Sequence, residues 1–157
     1  MTDEREARLE RKRRLARAFT QSVPHNEALG MKLIDLDDDG VVFELPYAAH
    51  LVGNPDTGTL HGGAITALLD ASSGIAVFGA LDKLVPIATL DLRIDYLKPA
   101  EPRRTVLCKA TCYKLTHNVA FTRAVAYHGD PDDAIAHAVG TFMLSTKMGS
   151  HVPGRAP

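Results

Sequence analysis

The feature that most constrains this 157-residue chain is one long apolar segment, residues 64–81, set among much shorter patterned stretches. The segment is rich in Ala and Leu, has few β-branched residues, and is long enough to form a buried helix. Apolar side chains on a helix of this kind must be covered, because exposing them to water is unfavourable. The rest of the chain is therefore expected to supply that cover.

Most of the remaining sequence has the patterns of antiparallel strands. The predicted strands are 31–36 and 41–45, joined by an acidic turn ending in Gly40, then 89–96, 105–114, 119–127 and 134–145. In 89–96 the strict alternation places Thr89 and Asp91 on one face and Leu90 and Leu92 on the other. One apolar helix and a large antiparallel sheet pack most economically when the sheet curls around the helix. The predicted fold is therefore α+β, of the hotdog type, with an extra N-terminal helix.

The N-terminal segment is predicted to be a separate basic helix over residues 3–20. The first eighteen residues carry seven Lys or Arg and four Asp or Glu, whereas the whole chain has a formal net charge of -1. Apolar positions are sparse, so most of this helix is expected to stay in water or to meet a partner chain. We assign 1–27 to this helix and a linker, 28–146 to the hotdog domain and 147–157 to a disordered tail.

Composition narrows the class of protein. A net charge near zero gives no electrostatic reason to expect a nucleic-acid partner. The longest unbroken apolar runs fall short of the ~20 residues of a membrane span, and the N-terminus does not resemble a signal peptide. Cys108 and Cys112 lie four apart on a predicted strand, about 13 Å between Cα atoms, which is too far for a disulfide. We therefore expect a cytoplasmic protein, without a metal site because the histidines lack ligand spacing.

Two features of the helix region point to chemistry. His61-Gly62-Gly63 stands at the start of the helix, where backbone N–H groups have no internal acceptor and two glycines allow a carbonyl to approach closely. Such a position suits an oxyanion, although a structural turn would give the same tripeptide. Asp70 is an acid within an apolar stretch, which favours a functional role over an exposed position on the helix.

The spacing of these residues has a consequence for assembly. Nine residues separate His61 from Asp70, which places them on opposite faces of the helix and about 13 Å apart. One chain cannot bring them together. If both serve one reaction, the second group comes from a two-fold related subunit.

The motifs in these segments resemble a known family. Gly-Thr-Leu-His-Gly-Gly, an Asp nine residues after the His, and the stretch Thr-Leu-Asp-Leu-Arg-Ile-Asp-Tyr-Leu-Lys-Pro-Ala at 89–100 are similar to hotdog-fold acyl-CoA thioesterases of the phenylacetate-pathway (PaaI-type) group. The similarity covers roughly residues 28–146. It implies hydrolysis of acyl-CoA, with coenzyme A as part of the substrate and no separate cofactor. It also implies a homodimer with shared active sites that pairs into a homotetramer.

The resemblance assigns catalytic roles to five residues. Asp70 is the nucleophile or the general base, Gly62 offers its N–H to the thioester carbonyl, and His61 polarises or positions the thioester. Thr89 holds the attacking water. Asn54 takes the role of a loop Asn, although it stands one residue from the family position, where Pro55 lies; Asp56 or no side chain are the alternatives.

Coenzyme A recognition departs from the family pattern. The Arg-Gly-Lys/Arg turn that meets the phosphates in many members is replaced here by Lys114-Leu115-Thr116-His117-Asn118. Gly63, Lys114 and His117 are therefore the predicted contacts with coenzyme A. Alternatives are the other exposed cations, namely Lys98, Arg103, Arg104 and the N-terminal helix. The acyl pocket is expected from apolar residues before and after the helix start, namely Leu51, Val52, Ala76, Phe78 and Leu81.

Other functions fit the sequence less well. A non-catalytic acyl-CoA sensor would leave Asp70 dispensable and is the main alternative. A dehydratase or hydratase is disfavoured because the H-F-x-G-x-x-P-G motif is absent. Serine and cysteine hydrolases are disfavoured because there is no G-x-S-x-G elbow and no Cys with a partnered His and acid.

Overall fold

The computed structural model describes residues 2–144, so the predicted tail at 147–157 lies outside the described residues. Within this range the helices are α1 (Thr2–Ser22), α2 (Pro24–Ala28) and α3 (Gly62–Ala80). The strands are β1 (Lys32–Asp37), β2 (Gly40–Leu45), β3 (Val52–Asn54), β4 (Thr59–Leu60), β5 (Ile87–Tyr96), β6 (Val106–Leu115), β7 (Val119–Tyr127) and β8 (Ala136–Leu144). Every predicted helix and strand is present, with its ends within two residues of those expected.

Six of the strands form one antiparallel sheet in the order β1-β2-β6-β7-β8-β5, and β3 and β4 form a separate ribbon. Along β8, buried and outward-facing side chains alternate. The buried face of the sheet packs on α3, which contacts β2, β5, β6, β7 and β8. Leu68 and Leu69 of α3 are completely buried there. The sheet therefore wraps the central helix, and the predicted hotdog fold is confirmed.

The apolar character of α3 follows from its position in the core. By length and hydropathy alone it would also suit a membrane span, which the count of unbroken apolar runs did not reveal. Half of this helix is buried inside the described fold. Its residues Leu68, Leu69 and Ala76 belong to the same core cluster as Phe43 of β2. Packing under the sheet thus accounts for its hydropathy.

The N-terminal helix α1 packs on β1 and α3. Most of its side chains are exposed, as predicted, but Leu9 and Ala16 pack in the core and Phe19 meets Phe78 of α3 edge-on at 5.1 Å between ring centroids. Several cations already have partners in the chain: Arg5 pairs with Asp38, Arg8 with Asp82, Lys12 donates to Gly79 O and Arg13 to Leu36 O. These cations hold the helix in place, which weakens the alternative that they bind ligand phosphates.

Two segments expected to be irregular contain local structure. The predicted linker after Ser22 forms α2, where Pro24 occupies the first helical turn, a position that needs no N–H donor. The predicted loop 46–60 contains a 3-10 turn at Ala49–Leu51 and the β3–β4 ribbon. Its turns fold the loop back toward the start of α3, where Leu51 O accepts a hydrogen bond from His61 N–H at 2.8 Å.

Strand β5 is an edge of the sheet and is not regular. It pairs with β8, and the register shifts between Thr89 and Asp91, which is the mark of a β-bulge. An extra residue at this point reverses which face the preceding side chains occupy. Thr89 consequently lies on the helix side together with Leu92 and Ile94. The prediction that Thr89 shares a face with Asp91 was wrong, because strict alternation holds only in a strand without a bulge.

Candidate functional site

The start of α3 is closed by the side chain of His61. Its Nδ1 accepts a hydrogen bond from Gly63 N–H at 2.9 Å, so His61 is the N-cap of the helix. A backbone N–H can only donate, so Nδ1 is the acceptor and the neutral ring carries its proton on Nε2. His61 is exposed, and Nε2–H is left as a donor at the mouth of the helix.

The three glycines near His61 differ in whether the chain leaves room for a side chain at their position. A Cβ at Gly53 would stand 2.8 Å from His61 Cα, and one at Gly63 would stand 2.9 Å from His61 Nδ1. Both glycines are required by the close packing of the chain itself. A Cβ at Gly62 would meet the Tyr96 ring and its hydroxyl group, with the nearest atom at an ordinary contact distance of 3.5 Å. The bare backbone at Gly62 is therefore open to something outside the chain.

A second contact fixes the first peptide of α3. The Tyr96 hydroxyl group donates to Gly62 O at 2.7 Å, and the Thr66 hydroxyl group lies 3.1 Å from the same oxygen. The two hydroxyl oxygens are 2.8 Å apart. Sequence reasoning placed Tyr96 on the apolar face of its strand and missed this contact. The available signal was its position on the face that the helix occupies.

Asp70 and Thr89 form the other part of the site. Thr89 Oγ1 donates to Asp70 Oδ1 at 2.9 Å, a bond made possible by the bulge in β5. Asp70 is half-buried, and its Oδ2 has no hydrogen-bond partner among residues 2–144. Because the Thr89 proton is directed at the carboxylate, the hydroxyl oxygen remains free to accept from a water molecule. The predicted pairing of these two residues is present.

The two parts of the site are not joined within one chain. His61 caps α3, Asp70 lies in its third turn, and no hydrogen bond links the groups within the described range. Both parts nevertheless face β5, since Tyr96 reaches the helix start and Thr89 reaches Asp70. β5 also carries exposed apolar side chains at the sheet edge, with Leu90 53% and Tyr96 48% exposed.

A pocket of about 340 Å³ opens beside the helix start. Its lining is mostly apolar and comprises Thr59, Leu60, Gly62, Ile65, Tyr96, Leu97, Lys98, Pro99 and Ala100. The residues predicted for an acyl pocket do not line it. Leu51 and Ala76 are buried in the core, and Phe78 packs on Phe19 of α1. On this side of α3 the helix α1 covers Phe78, and the place of the acyl group stays a prediction.

The loop residues before the helix are engaged locally. Asn54 Oδ1 accepts a hydrogen bond from Asp56 N–H at 3.0 Å, and Asn54 O accepts from Gly58 N–H at 2.8 Å. These bonds are typical of an Asx turn, in which the side chain shapes its own loop. Asp56 is exposed. Neither side chain forms a hydrogen bond with His61 or Asp70 in the described part of the chain.

The predicted contacts with coenzyme A lie in two places. Gly63 belongs to the helix start, whereas Lys114 and His117 are exposed at the turn between β6 and β7. That turn meets the end of β8, because Asn118 O accepts from Leu144 N–H at 2.8 Å. Leu144 pairs with Ile87 at the beginning of β5. Lys114 and His117 are therefore on the same end of the sheet as Thr89.

The alternative cations lie at the opposite end of β5. Lys98 lines the pocket and pairs with Asp133, and this contact holds the pKa of Asp133 below its usual value. Arg103 has a φ of 62°, the one positive φ of a non-glycine residue among those described. The His128 ring contacts two backbone groups, each at 2.9 Å. Its Nε2 accepts a hydrogen bond from Glu101 N–H, and its Nδ1 lies next to Thr105 O. Two separate cationic regions thus flank the site.

The cysteines do not offer a nucleophile. Burial raises the pKa of Cys108 to about 12, and the neighbouring Ser72 hydroxyl group acts by a smaller amount in the other direction. Burial also raises the pKa of Cys112. Both are free thiols. Among residues 2–144, no group of three His, Cys, Asp or Glu side chains could hold a metal ion together.

Comparisons with known proteins identify the family of this fold. The model of the Thioesterase superfamily matches residues 57–135. The medium/long-chain acyl-CoA thioesterase YigI of Escherichia coli is 29% identical over 139 residues, 80% of this chain and 88% of that protein. A crystal structure from Pseudomonas aeruginosa is 46% identical with a TM-score of 0.77, covering 87% of this chain and 98% of that one. A mutant of the phenylacetic acid degradation protein PaaI from Thermus thermophilus is 27% identical with a TM-score of 0.66, covering 76% and 97%.

The contrast between the two helix glycines can be tested by stability. Gly62→Ala adds a better helix former where the chain has room, so the free energy of unfolding should stay the same or rise. Gly63→Ala displaces the His61 ring and should lower stability by about 1 kcal/mol through loss of the cap. Urea unfolding of both variants measures the difference. Equal stabilities would contradict the assigned packing.

Proposed function

The chain belongs to the thioesterase superfamily, and we propose that it hydrolyses acyl-CoA thioesters to a free acid and coenzyme A. The observation that carries the proposal is the hydrogen bond between Thr89 and Asp70, beside a carboxylate oxygen that has no hydrogen-bond partner in the described part of the chain. A carboxylate held in this way is placed to act on water or on a carbonyl carbon. The relationship to a medium/long-chain acyl-CoA thioesterase supports the class of substrate.

The start of α3 supplies the hydrogen-bond donors that the reaction needs. As the first residue of α3, Gly62 has an N–H without an acceptor in the helix, and the partial positive charge of the helix end adds to it. His61 Nε2–H is a second donor at the same place. Both donors would face the thioester carbonyl oxygen and stabilise the negative charge that forms on it.

Asp70 supplies the general base or the nucleophile. As general base, it takes a proton from a water molecule held by Thr89 while the water oxygen attacks the carbonyl carbon. Collapse of the tetrahedral intermediate breaks the C–S bond, and coenzyme A leaves as a thiolate that takes up a proton. As nucleophile, Asp70 instead attacks the carbonyl carbon and displaces coenzyme A as a thiolate that takes up a proton. Water then opens the resulting anhydride to the free acid and the Asp70 carboxylate. Both routes end in the same products and need the same carboxylate.

Substitution of Asp70 tests the proposal directly. Asp70→Asn keeps the shape of the side chain but removes the base, so kcat should fall about a hundredfold or more while binding of coenzyme A persists.

Thr89→Ala removes a group that only orients water, and should lower kcat about tenfold with little change in KM. Release of free thiol from a panel of acyl-CoA substrates measures both.

The matched control is Asp82→Asn, the same change at an exposed acid just after α3, which should leave kcat unaltered. Unchanged turnover in Asp70→Asn would refute the role of Asp70. Binding of acyl-CoA by the natural protein without turnover of any substrate would instead favour the sensor.

We further propose that the active protein is a homodimer with two shared sites, and that dimers pair into a homotetramer as the family resemblance implies. β5 is a ten-residue edge strand with exposed apolar side chains, a kind of edge that proteins usually cover. A second copy at this edge would bring Asp70 of one chain toward His61 and Gly62 of the other. This arrangement uses both parts of the site in one reaction.

Mixing two inactive variants tests the shared site. Gly62→Pro removes the oxyanion N–H, and the fold should accept it because His61 already has φ −64° and ψ 133°, the conformation favoured before proline. Mixed with Asp70→Asn under subunit exchange, half of the dimers are hybrids with one intact site. About a quarter of natural activity should return. No recovery despite exchange measured by native mass spectrometry, or an active monomer, would contradict the dimer.

For coenzyme A, we propose that Gly63 lies against the bound thioester and that Lys114 and His117 contact the phosphates. Lys114 near the end of β6 and His117 in the turn after it are exposed and lie at the Thr89 end of β5. Two free cysteines fit a reducing compartment, and we propose a cytoplasmic location. Independence from metals, from nucleic acid and from other cofactors stays a prediction.

Removing the charge of Lys114 tests the phosphate contact. Lys114→Met should raise KM for an acyl-CoA about fivefold to tenfold, because a favourable charge pair is lost. The same acyl group on N-acetylcysteamine, which has no phosphates, should show no change. Lys109→Met, on the same strand, is the control. If Arg103→Met raises KM for acyl-CoA and Lys114→Met does not, the phosphates bind at the opposite end of β5.

A further inference from the structure

We propose that Tyr96 is a positioning residue that orients the Gly62–Gly63 peptide and, through it, the His61 ring. This inference rests on the proposed hydrolysis and extends it to a residue outside the five assigned catalytic roles. Tyr96 lies at the end of β5, lines the 340 Å³ pocket, and donates to Gly62 O at 2.7 Å.

The contact acts on a part of the backbone that would otherwise be mobile. Two consecutive glycines give the chain more conformational freedom than any other pair at a helix start. The carbonyl of Gly62 and the N–H of Gly63 belong to one planar peptide unit. A hydrogen bond that fixes the carbonyl therefore fixes the direction of the N–H as well.

The same peptide unit determines the state of His61. Gly63 N–H donates to His61 Nδ1 at 2.9 Å, which places the ring proton on Nε2 and aims it outward. A donor to the carbonyl also polarises the peptide and strengthens its N–H as a donor. The interaction thus runs from Tyr96 through one peptide to the imidazole.

Thr66 completes this arrangement. Its hydroxyl oxygen is 2.8 Å from that of Tyr96 and 3.1 Å from Gly62 O. The two hydroxyl groups and Gly62 O make three short contacts, but each hydroxyl group has one proton. In one arrangement that satisfies both, Thr66 donates to Tyr96 and Tyr96 donates to Gly62 O. Thr66 keeps the Tyr96 hydroxyl group in place on the helix side.

Packing alone does not explain Tyr96. Tyr96 is 48% exposed in the single chain, and its polar contacts with Gly62 O and with Thr66 are all made by the hydroxyl group. Tyr113 on β6 provides a matched comparison, since it is 50% exposed and its ring lies under the Arg123 guanidinium away from α3. Removing the hydroxyl group from each separates positioning from general stability.

The experiment combines kinetics with nitrogen NMR of the histidine ring. Tyr96→Phe should lower kcat about tenfold, change KM less than about twofold, and leave the unfolding midpoint as it is, because only the orientation of donors is lost. In the protein without ligand, the ¹⁵N signals of His61 should move from the pattern of the Nε2–H tautomer toward a mixture of tautomers. Tyr113→Phe should change neither quantity.

Thr66 adds a test by conservative replacement. Thr66→Ser retains the hydroxyl group and should keep natural activity within about twofold, whereas Thr66→Val should behave like a weaker Tyr96→Phe. Equal kcat values for the Ser and Val variants would contradict the part assigned to Thr66.

The NMR measurement needs no substrate, so the positioning role and the proposed function can fail separately. Unchanged ¹⁵N signals of His61 in Tyr96→Phe overturn the positioning role, whatever the activity. A shifted tautomer together with lower kcat supports it. If the natural protein hydrolyses no acyl-CoA, the proposed function fails and the ¹⁵N signals alone decide whether Tyr96 orients His61.

Discussion

The burial of α3 under the sheet is the interaction on which the rest of this molecule depends. A nineteen-residue helix with Leu68 and Leu69 at its centre is stable in water only when another element covers it. The sheet covers one side and α1 packs on the part near Phe78. What remains accessible is the helix start and the side that carries Asp70. The hydrophobic core thus decides where polar chemistry can occur.

Strand β5 carries the contacts that organise both accessible parts. Thr89 near its beginning bonds Asp70, and Tyr96 at its end bonds the first peptide of α3. The two hydroxyl groups are held by the same strand, so their separation is set by a pairing with β8 that spans the whole of β5. One strand therefore acts as the common support of Asp70 and of the start of α3.

Much of this could be predicted from the sequence, because apolar periodicity directly reflects burial. The helix, the strands and the place of His61 at the helix start followed from patterns, and the family resemblance placed Thr89 beside the acid. The face of Thr89 did not, because alternation assumes a regular strand and a bulge leaves no mark in composition. The bond from Tyr96 could not be predicted either, because alternation gives the face of a side chain and not the partner of its hydroxyl group.

The bulge in β5 also bears on how this chain can be rebuilt. A segment that contains it cannot be exchanged residue for residue with a regular strand, since the contact of Thr89 with Asp70 depends on the number of residues between Thr89 and Leu92 as well as on their identity. A regular strand with the same number of residues would turn the Thr89 hydroxyl group to the far side of the sheet, whereas a regular strand one residue shorter would keep it on the helix side. Grafts and chimeras of this strand should therefore be aligned by length first and by similarity second.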